Sequence, residues 1–230
     1  MRRYILKGTL NTRDLGGYPT ILGEYTKYGR LLRSDAPCEL SESNLDMLYD
    51  MGIKTVIDLR GAEEVSRRPS SFASESRFKY HHKHINDRLR DLNTEADIPD
   101  GYFNMMNQND TVCEIMQIIA DAPKGVLFHC AAGKDRTGCT AALLLGLAGV
   151  PLVDIIADYQ ITETYIQVLW RKLRSEFPEL PKFYGQSQPE FIEGFMNRVH
   201  EKYGGAREFL LALGVTEDEL GRILEKLLGE

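Results

Sequence analysis

Short apolar runs in the first part of the chain predict the strands of a sheet. Residues 31–33 predict a short strand, 55–59 form a β-branched run typical of a buried strand, and 126–128 predict a third strand. A further strand is predicted at 78–85, where three histidines interrupt the apolar pattern. Turn-forming and polar residues separate these runs, so each strand is expected to be short.

Helical patterns lie between these strands and fill the rest of the chain. Helices are predicted at 41–51, 111–121, 137–149 and, apart from a break at 178–189, from Val153 onwards. Thr111 with Glu114 and Thr216 with Glu219 form capping-box patterns at two helix starts. The alternation predicts an α/β fold, and without repeats or low-complexity linkers we expect one domain over 1–230, with 153–230 as a helical tail.

Composition and charge narrow the classes of partner. Of 230 residues, 43% are hydrophobic and 27% are charged, which is ordinary for a globular protein. A formal net charge of -6 gives no global attraction for nucleic acid or anionic lipid, so an anionic substrate requires a local positive site. Without a long apolar run or a signal-peptide pattern, we expect a cytoplasmic protein that does not insert into membranes. Export by another route and the oligomeric state stay open.

Neither a metal nor a cofactor is expected. The four cysteines contain no CxxC pair, and this number in 230 residues does not make a disulfide framework. His81, His82 and His84 invite a metal site, and alternation places the last two on one face of a predicted strand. Because no acidic or cysteine ligand accompanies them, a solvated strand edge is favoured.

The segment 129–138 carries the chemistry, because it lies between a predicted strand and a predicted buried helix. A helix N-terminus presents unpaired amide hydrogens and a partial positive charge, which favour a bound anion. Small residues at 131–133 let successive amides turn inward as a nest for phosphate oxygens. Arg136 follows and offers a planar fork to the same phosphate. The residues expected to bind phosphate are Ala131, Ala132, Gly133, Lys134, Asp135 and Arg136.

Cys130 is the expected nucleophile at the start of this loop. A thiol at a helix start beside Arg or protonated His loses its proton more readily than a free thiol, so we expect a thiolate near neutral pH. Its attack on the phosphorus of a monoester would give a phosphocysteine, which water then hydrolyses. The loop amides and Arg136 would stabilise the equatorial oxygens. The prediction is a metal-independent phosphomonoester hydrolase with inorganic phosphate as product.

Three other interpretations of this loop compete with the hydrolase. A nucleotide-binding loop of the Walker type fails because Asp135 stands where Ser or Thr must hold magnesium. A sulfurtransferase also uses a cysteine loop closed by an arginine and is a rival among enzymes. A catalytically silent phosphate-binding module is a third reading, against which the intact Cys130 and Arg136 argue.

The pattern His-Cys-x-x-Gly-x-x-Arg-Thr-Gly at 129–138 resembles the signature loop of the protein tyrosine and dual-specificity phosphatase superfamily. With the blocks at 11–17, 29–34 and 57–60, the chain is similar to the bacterial tyrosine phosphatase family that includes a secreted mycobacterial tyrosine and phosphoinositide phosphatase. The resemblance implies a central mostly parallel sheet flanked by helices, with tail helices as a lid over the pocket. It also implies activity on phosphotyrosine, sometimes phosphoserine or phosphothreonine, and phosphoinositides.

The general acid stays open at this point. Classical members of the superfamily carry a Trp-Pro-Asp loop for this role, whereas the single tryptophan here, Trp170, lies after the expected nucleophile. The acid must lie within hydrogen-bond reach of the ester oxygen. By analogy with the family Asp135 is the first choice, and Asp87, upstream of the loop after a predicted strand, is the alternative.

Other residues are assigned supporting roles. His129 is expected to orient the loop and support the thiolate, with Thr137 as a further supporting residue. Lys134 would add a cation that favours polyanionic inositol headgroups. Asp58, at a strand end beside Arg60, is expected to fix the turn by an ion pair rather than to line the site. The polar residues Asn11, Arg13 and Asp14 are interpreted first as turn chemistry, with support of the pocket as the lesser alternative.

Overall fold

Five short strands form one sheet in the computed structural model, which describes residues 2–87, 89, 92 and 94–229. They are β1 (Arg13–Asp14), β2 (Leu31–Ser34), β3 (Ile53–Asp58), β4 (Lys79–His82) and β5 (Gly125–His129). Their spatial order is β1-β2-β5-β3-β4, with β1 antiparallel to β2 and the other pairs parallel. The α/β class with a central, mostly parallel sheet is therefore confirmed.

Helices cover both faces of this sheet. In the described chain they are α1 (Glu42–Asp50), α2 (Ala62–Arg67), α3 (Ile98–Met106), α4 (Asn109–Asp121), α5 (Asp135–Leu147), α6 (Leu152–Glu176), α7 (Pro189–Tyr203), α8 (Ala206–Ala212) and α9 (Glu217–Leu228). The chain from α6 onwards is almost entirely helical, as the sequence predicts for the tail. Within the described residues, none of these helices combines the length and apolar character needed to cross a membrane.

Side-chain alternation along the strands divides the core into two clusters. On β5, Val126 and Phe128 belong to a large cluster that contains the buried faces of α3 to α9. Leu127, between them, belongs to a smaller cluster with α1 and the aromatic residues Phe72 and Phe78. Successive strand residues point to opposite faces, so burial of both faces explains the continuous apolar runs in the sequence.

The parallel strands bring their carboxyl ends to one edge of the sheet. His129, the last residue of β5, is in register with Ser34 of β2 and Asp58 of β3. Residues that follow these strands therefore meet at this edge, which is where ligands bind in open α/β sheets. Five residues, 130–134, separate β5 from α5, which is buried along most of its length, as predicted from its apolar pattern.

The helices of the structure differ in part from those predicted by the sequence. The capping box at Thr111 is wrong, because α4 already begins at Asn109 and contains Thr111 in its first turn. α3 was not predicted, since it is short and carries Pro99 and Gly101. The capping box at Thr216 is confirmed: its amide donates to Glu219 at 2.7 Å, and its hydroxyl accepts from the Glu219 amide at 3.3 Å.

Candidate active site

A cavity of about 690 Å³ opens at the carboxyl edge of the sheet. Cys130, the residue after β5, lines this cavity and is only 3% exposed. One wall is formed by the loop that follows Cys130 and another by the start of α2. The apolar wall comes from α6 and the segment after it, with Ile166, Leu169, Trp170, Leu173, Phe183 and Tyr184.

Three consecutive carbonyls of the loop, at 131–133, are hydrogen-bonded from outside the cavity. The amide of Ala36 donates to the first at 3.0 Å. Asn11 Nδ2 donates to the second at 3.0 Å and to the third at 3.1 Å. Arg33 Nη2 also donates to the third, at 2.7 Å. None of these three donor residues lines the cavity.

Peptide planarity makes the opposite side of the loop suitable for an anion. In a trans peptide, the carbonyl of one residue and the amide hydrogen of the next point in opposite directions. Because the carbonyls at 131–133 face outward, the amide hydrogens of Ala132, Gly133 and Lys134 face the side of the loop that holds Cys130. Such a concave row of amides, ahead of the first turn of α5, is suited to bind phosphate oxygens.

The loop geometry requires glycine at position 133 for two reasons. Its φ of +66° is a conformation that side chains rarely adopt. A Cβ at this position would also lie 2.6 Å from the Ser34 carbonyl oxygen and 2.7 Å from the Asp35 amide nitrogen. The loop therefore lies directly on the end of β2, and a residue larger than glycine would push it away.

The guanidinium of Arg136 lies between two carboxylates. Its Nη1 and Nη2 donate to the two oxygens of Glu64 at 2.7 and 2.8 Å, and its Nε lies 3.0 Å from Asp87 Oδ2. Burial alone would lower the pKa of Arg136, but its bonds to Glu64 and the charges of Cys130 and Asp87 raise it. Burial would raise the pKa of Glu64, yet Arg136 outweighs this effect and lowers it. Both groups are therefore charged at neutral pH.

Asp135, the first residue of α5, lines the cavity and has one oriented oxygen. Its Oδ1 accepts a hydrogen bond from the Tyr102 hydroxyl and lies 2.9 Å from Lys134 Nζ. The Tyr102 hydroxyl in turn lies 2.6 Å from that of Tyr159. Burial and then the charge of Asp135 raise the pKa of both tyrosines, so both keep their protons and remain donors.

Lys134 connects the loop to the helical tail. Its side chain is 5% exposed, and besides the contact with Asp135 its Nζ donates to the Gln186 carbonyl at 3.0 Å. The amide of the next residue, Ser187, donates to Glu163 of α6 at 2.8 Å. The segment that covers the cavity is thus attached both to the loop and to α6.

The apolar wall ends in a pair of stacked aromatic rings. Trp170 of α6 and Tyr184 have ring centroids 5.8 Å apart and planes inclined by 23°. Gly185 lies against the same indole, since a Cβ on Gly185 would come within 2.0 Å of it. Trp170 and Tyr184 therefore add an aromatic surface to the rim of the cavity.

Asp58 and His129 lie behind the loop rather than in the cavity wall. Asp58 pairs with Arg60 at 2.7 Å and accepts from the Tyr80 hydroxyl at 2.7 Å. Burial would raise the pKa of Asp58, but these donors lower it to about 2. Burial lowers the pKa of His129 to about 4. His129 is therefore neutral at pH 7 and can support Cys130 by position, with Nδ1 3.3 Å from the Cys130 carbonyl, but not by charge.

A second buried group of charges lies on the other side of the loop. Asp158 of α6 pairs with Arg13 at 2.9 Å and with Arg33, and it accepts from the Tyr18 hydroxyl at 2.9 Å. The three charged side chains are at most 3% exposed. Burial would raise the pKa of Asp158, but the two arginines lower it well below the usual range. This group, with Thr162 as a further partner of Arg13, fastens α6 to β1 and β2.

The structure brings most of the predicted site residues together. Those that line the cavity are Cys130, Ala131, Ala132, Lys134, Asp135, Arg136 and Asp87. Gly133 shapes the loop, and Thr137, Asp58 and His129 are buried behind it. The Thr137 hydroxyl has no hydrogen-bond partner among the described residues. The predicted ion pair between Asp58 and Arg60 is present.

Sequence reasoning missed Glu64 and Arg33, whereas Asn11 was expected to support the pocket only as the lesser alternative. Glu64 lies six residues after the end of β3, where the carboxyl-edge geometry brings it beside Arg136. Its position in the first turn after a strand was the available signal. The three histidines around β4 do not gather: in the described residues no group of three or more His, Cys, Asp or Glu could hold a metal ion.

The cavity holds a cysteine, an inward row of amides and an arginine, which is the arrangement that a cysteine-dependent phosphatase requires. A sulfurtransferase would present a similar loop, so the family decides between the two classes. The sequence model of a family described as the tyrosine phosphatase family matches residues 4–229. This chain belongs to the tyrosine phosphatase family, whose members are phosphoric monoester hydrolases.

Two relatives compared by sequence agree with this assignment. The chain is 31% identical over 216 residues to a tyrosine-protein phosphatase of Nostoc commune, which covers 82% of this chain and 70% of that protein. It is 25% identical over 275 aligned positions to the triple specificity protein phosphatase PtpB of Mycobacterium tuberculosis, with 97% and 98% covered. Among solved structures, TpbA of P. aeruginosa is similar with a TM-score of 0.44 at 13% identity, covering 86% of this chain and 97% of that one.

Proposed function

We propose that this phosphatase hydrolyses phosphotyrosine in proteins through a covalent phosphocysteine on Cys130. The observation that carries the proposal is that Cys130 lines a cavity together with Arg136 and an aromatic rim. The loop carbonyls at 131–133 are hydrogen-bonded on the outside, so that the following amides face the side of Cys130. The loop supplies donors for phosphate oxygens, and the rim offers a surface for the phenyl ring that carries the phosphate.

In the first step the Cys130 sulfur attacks phosphorus and forms the S–P bond while the P–O bond to the leaving group breaks. Negative charge on the three equatorial oxygens is stabilised by the loop amides and by Arg136. Arg136 stays protonated throughout the working pH range, because its raised pKa keeps the guanidinium charged. The leaving oxygen takes up a proton from a carboxylic acid.

We assign this acid to Asp135. Its side chain lines the cavity from the first turn of α5, and Tyr102 fixes the direction of its Oδ1. Asp87, the alternative, lies 3.0 Å from Nε of Arg136, the residue that binds the phosphate, whereas Asp135 contacts Lys134 and Tyr102 and is not paired with that arginine. In the second step the same Asp135 accepts a proton from water, whose oxygen attacks phosphorus and breaks the S–P bond. Inorganic phosphate leaves and the thiolate is restored.

The side chains that line the cavity favour phosphotyrosine over phosphoinositides as the substrate. Inositol phosphates carry several anionic groups, and Lys134 was the predicted extra cation for them. Two groups, Asp135 and the Gln186 carbonyl, already occupy Lys134 Nζ in the structure. The apolar wall with Trp170 and Tyr184 suits an aryl ester better than a hydroxylated ring.

Hydrolysis of p-nitrophenyl phosphate in excess chelator tests the reaction. We expect turnover that Cys130→Ser abolishes while phosphate still binds. Absence of turnover at every pH from about 5 to 8 would overturn the enzymatic proposal in favour of a phosphate-binding module. A panel of tyrosine phosphopeptides against soluble phosphoinositides tests the substrate class, and preference for the inositol compounds would overturn the phosphotyrosine assignment.

A further inference from the structure

Arg33 is a buried cation that the proposed chemistry does not use. It lies in β2, is 1% exposed, and reaches the loop from outside the cavity, where Nη2 donates to the Gly133 carbonyl at 2.7 Å. Asn11 Nδ2 donates to the same carbonyl and to that of Ala132. We propose that Arg33 and Asn11 are positioning residues of the phosphatase, which hold these two carbonyls outward so that the following amides face the phosphate.

The charges around Arg33 do not cancel. Two guanidinium groups, Arg13 and Arg33, share the single carboxylate of Asp158, so this buried group carries one surplus positive charge. Arg33 is the member that touches the loop. Its Nη2 would lie 3.4 Å from a Cβ on Gly138, so it packs against the first turn of α5. The surplus charge is therefore placed behind the amide hydrogens that face the anion.

A surplus charge at this place matters because Lys134 and Arg136, the two cations of 129–138, are already paired with carboxylates. Arg136 contacts both Glu64 and Asp87, and Lys134 contacts Asp135. A phosphate dianion and a thiolate must both be accommodated next to these pairs. Charge interactions inside a protein are screened less than in water, so a buried cation behind the loop favours both anions.

Both donors lie far from the loop in sequence. Asn11 precedes β1 and Arg33 lies within β2, whereas Gly133, whose carbonyl both residues contact, lies 122 and 100 residues later, respectively. Asp158 of α6 holds Arg33 in place. Contacts within 129–138 alone therefore do not account for the orientation of its peptide groups.

Arg33→Met tests the role of the guanidinium without creating an unpaired carboxylate, because Arg13 and Asp158 remain as a one-to-one pair. The measurements are inhibition by inorganic phosphate, kcat and KM for p-nitrophenyl phosphate, and the pH dependence of Cys130 alkylation by iodoacetamide. We expect phosphate to bind at least about tenfold more weakly and alkylation to shift to higher pH, since a donor and a cation are both lost. Arg33→Lys should restore most of the alkylation profile.

Asn11→Asp tests the second residue at constant side-chain size. The substitution keeps the oxygen that accepts from Arg13 but replaces the donor to the loop carbonyls by an oxygen that repels them. We expect weaker phosphate binding with an accompanying fall in kcat/KM. If Arg33→Met does not fold, this variant decides the question by itself.

Tyr18→Phe is the matched control. It removes a hydrogen bond to Asp158 from the same buried group without touching the loop, so it should lower the melting temperature and leave phosphate inhibition within about twofold. Folded Arg33→Met and Asn11→Asp proteins that bind phosphate as tightly as this control would overturn the positioning role. The inference rests on the proposed function, whose own failure looks different: the unaltered protein would then neither bind phosphate nor hydrolyse the ester.

Discussion

Glu64 occupies the outer edge of the Arg136 guanidinium with two hydrogen bonds of 2.7 and 2.8 Å. A phosphate can therefore approach Arg136 only by the edge that carries Nε. Asp87 lies on this edge, with Oδ2 3.0 Å from Nε. The arginine is oriented by one carboxylate, and the other lies at the edge left for a phosphate, so we expect phosphate to compete with Asp87 for this edge.

Glu64→Gln should weaken substrate binding. A glutamine keeps one acceptor but loses the charge and the two-point contact that fixes the plane of Arg136. We expect KM for p-nitrophenyl phosphate to rise by about tenfold, corresponding to roughly 1.4 kcal/mol, with a smaller change in kcat. Glu217→Gln is the matched control, because this carboxylate also pairs with an arginine, Arg207, but on an exposed surface outside the cavity lining. Equal kinetics of the two variants would contradict an orienting role for Glu64.

Asp87→Asn should strengthen phosphate binding. The variant removes the negative charge that competes for Arg136 Nε, so inorganic phosphate should inhibit several-fold more strongly, on the order of 1 kcal/mol. The inhibition constant measured at fixed ionic strength checks this expectation. Weaker inhibition would mean that Asp87 assists phosphate rather than competes with it.

Asp135→Asn should remove general acid catalysis. We expect kcat to fall by about a hundredfold and the basic limb of the pH profile to flatten, since the proton donor is lost. The fall should be larger for phenyl phosphate than for p-nitrophenyl phosphate, whose leaving group needs less protonation. A normal basic limb here, together with a flattened one in Asp87→Asn, would transfer the role to Asp87.

His129 should make the protein less stable towards acid. Burial lowers its pKa to about 4 from the usual 6.5, so the unfolded chain takes up a proton between these values while the native protein does not. The free energy of unfolding is fully present above pH 6.5 and falls by up to about 1.4 kcal/mol per pH unit as the pH decreases towards 4.

Urea unfolding of His129→Asn at several pH values checks this effect. The slope between about pH 4 and 6.5 should become much flatter in the variant. His81→Asn is the matched control, because burial also lowers the pKa of His81 but this side chain is only partly buried, so its contribution should be smaller. An unchanged slope in His129→Asn would show that another group takes up the proton.

Lys134→Met should affect all substrates alike. Lys134 Nζ holds the Gln186 carbonyl and Asp135, so its loss should loosen the segment over the cavity and lower kcat/KM several-fold for phosphotyrosine peptides and phosphoinositides to the same extent. Parallel assays on both substrates check this. A loss confined to phosphoinositides would instead mean that the ammonium group binds the inositol headgroup.

Local patterns were sufficient to predict the loop at 129–138 and most elements. A β-branched run predicted β3, a short apolar run predicted β5, and the segment between β5 and α5 drew attention to Cys130 and Arg136 because strand, loop and helix follow each other directly. These predictions depend on neighbours in sequence. They therefore needed no knowledge of how distant segments pack.

Features that depend on distant segments could not be predicted in the same way. Glu64 and Arg136 meet only because β3 and β5 are parallel neighbours, so their carboxyl ends share an edge. Arg13 and Arg33 looked like turn and strand residues, and their shared partner Asp158 is more than a hundred residues away. The competition between Asp87 and a phosphate for Arg136 likewise required coordinates.

The outward-facing carbonyls at 131–133 have a consequence for transplanting this chemistry. Copying the ten residues 129–138 into an unrelated strand-to-helix connection would carry over the nucleophile and the arginine but not the scaffold behind them. Peptide groups without Asn11 and Arg33 would be free to rotate, and a rotated peptide presents an oxygen where the anion needs a hydrogen. A graft that keeps the amino-terminal strands with their two donors is the smallest unit from which an active transplant can be expected.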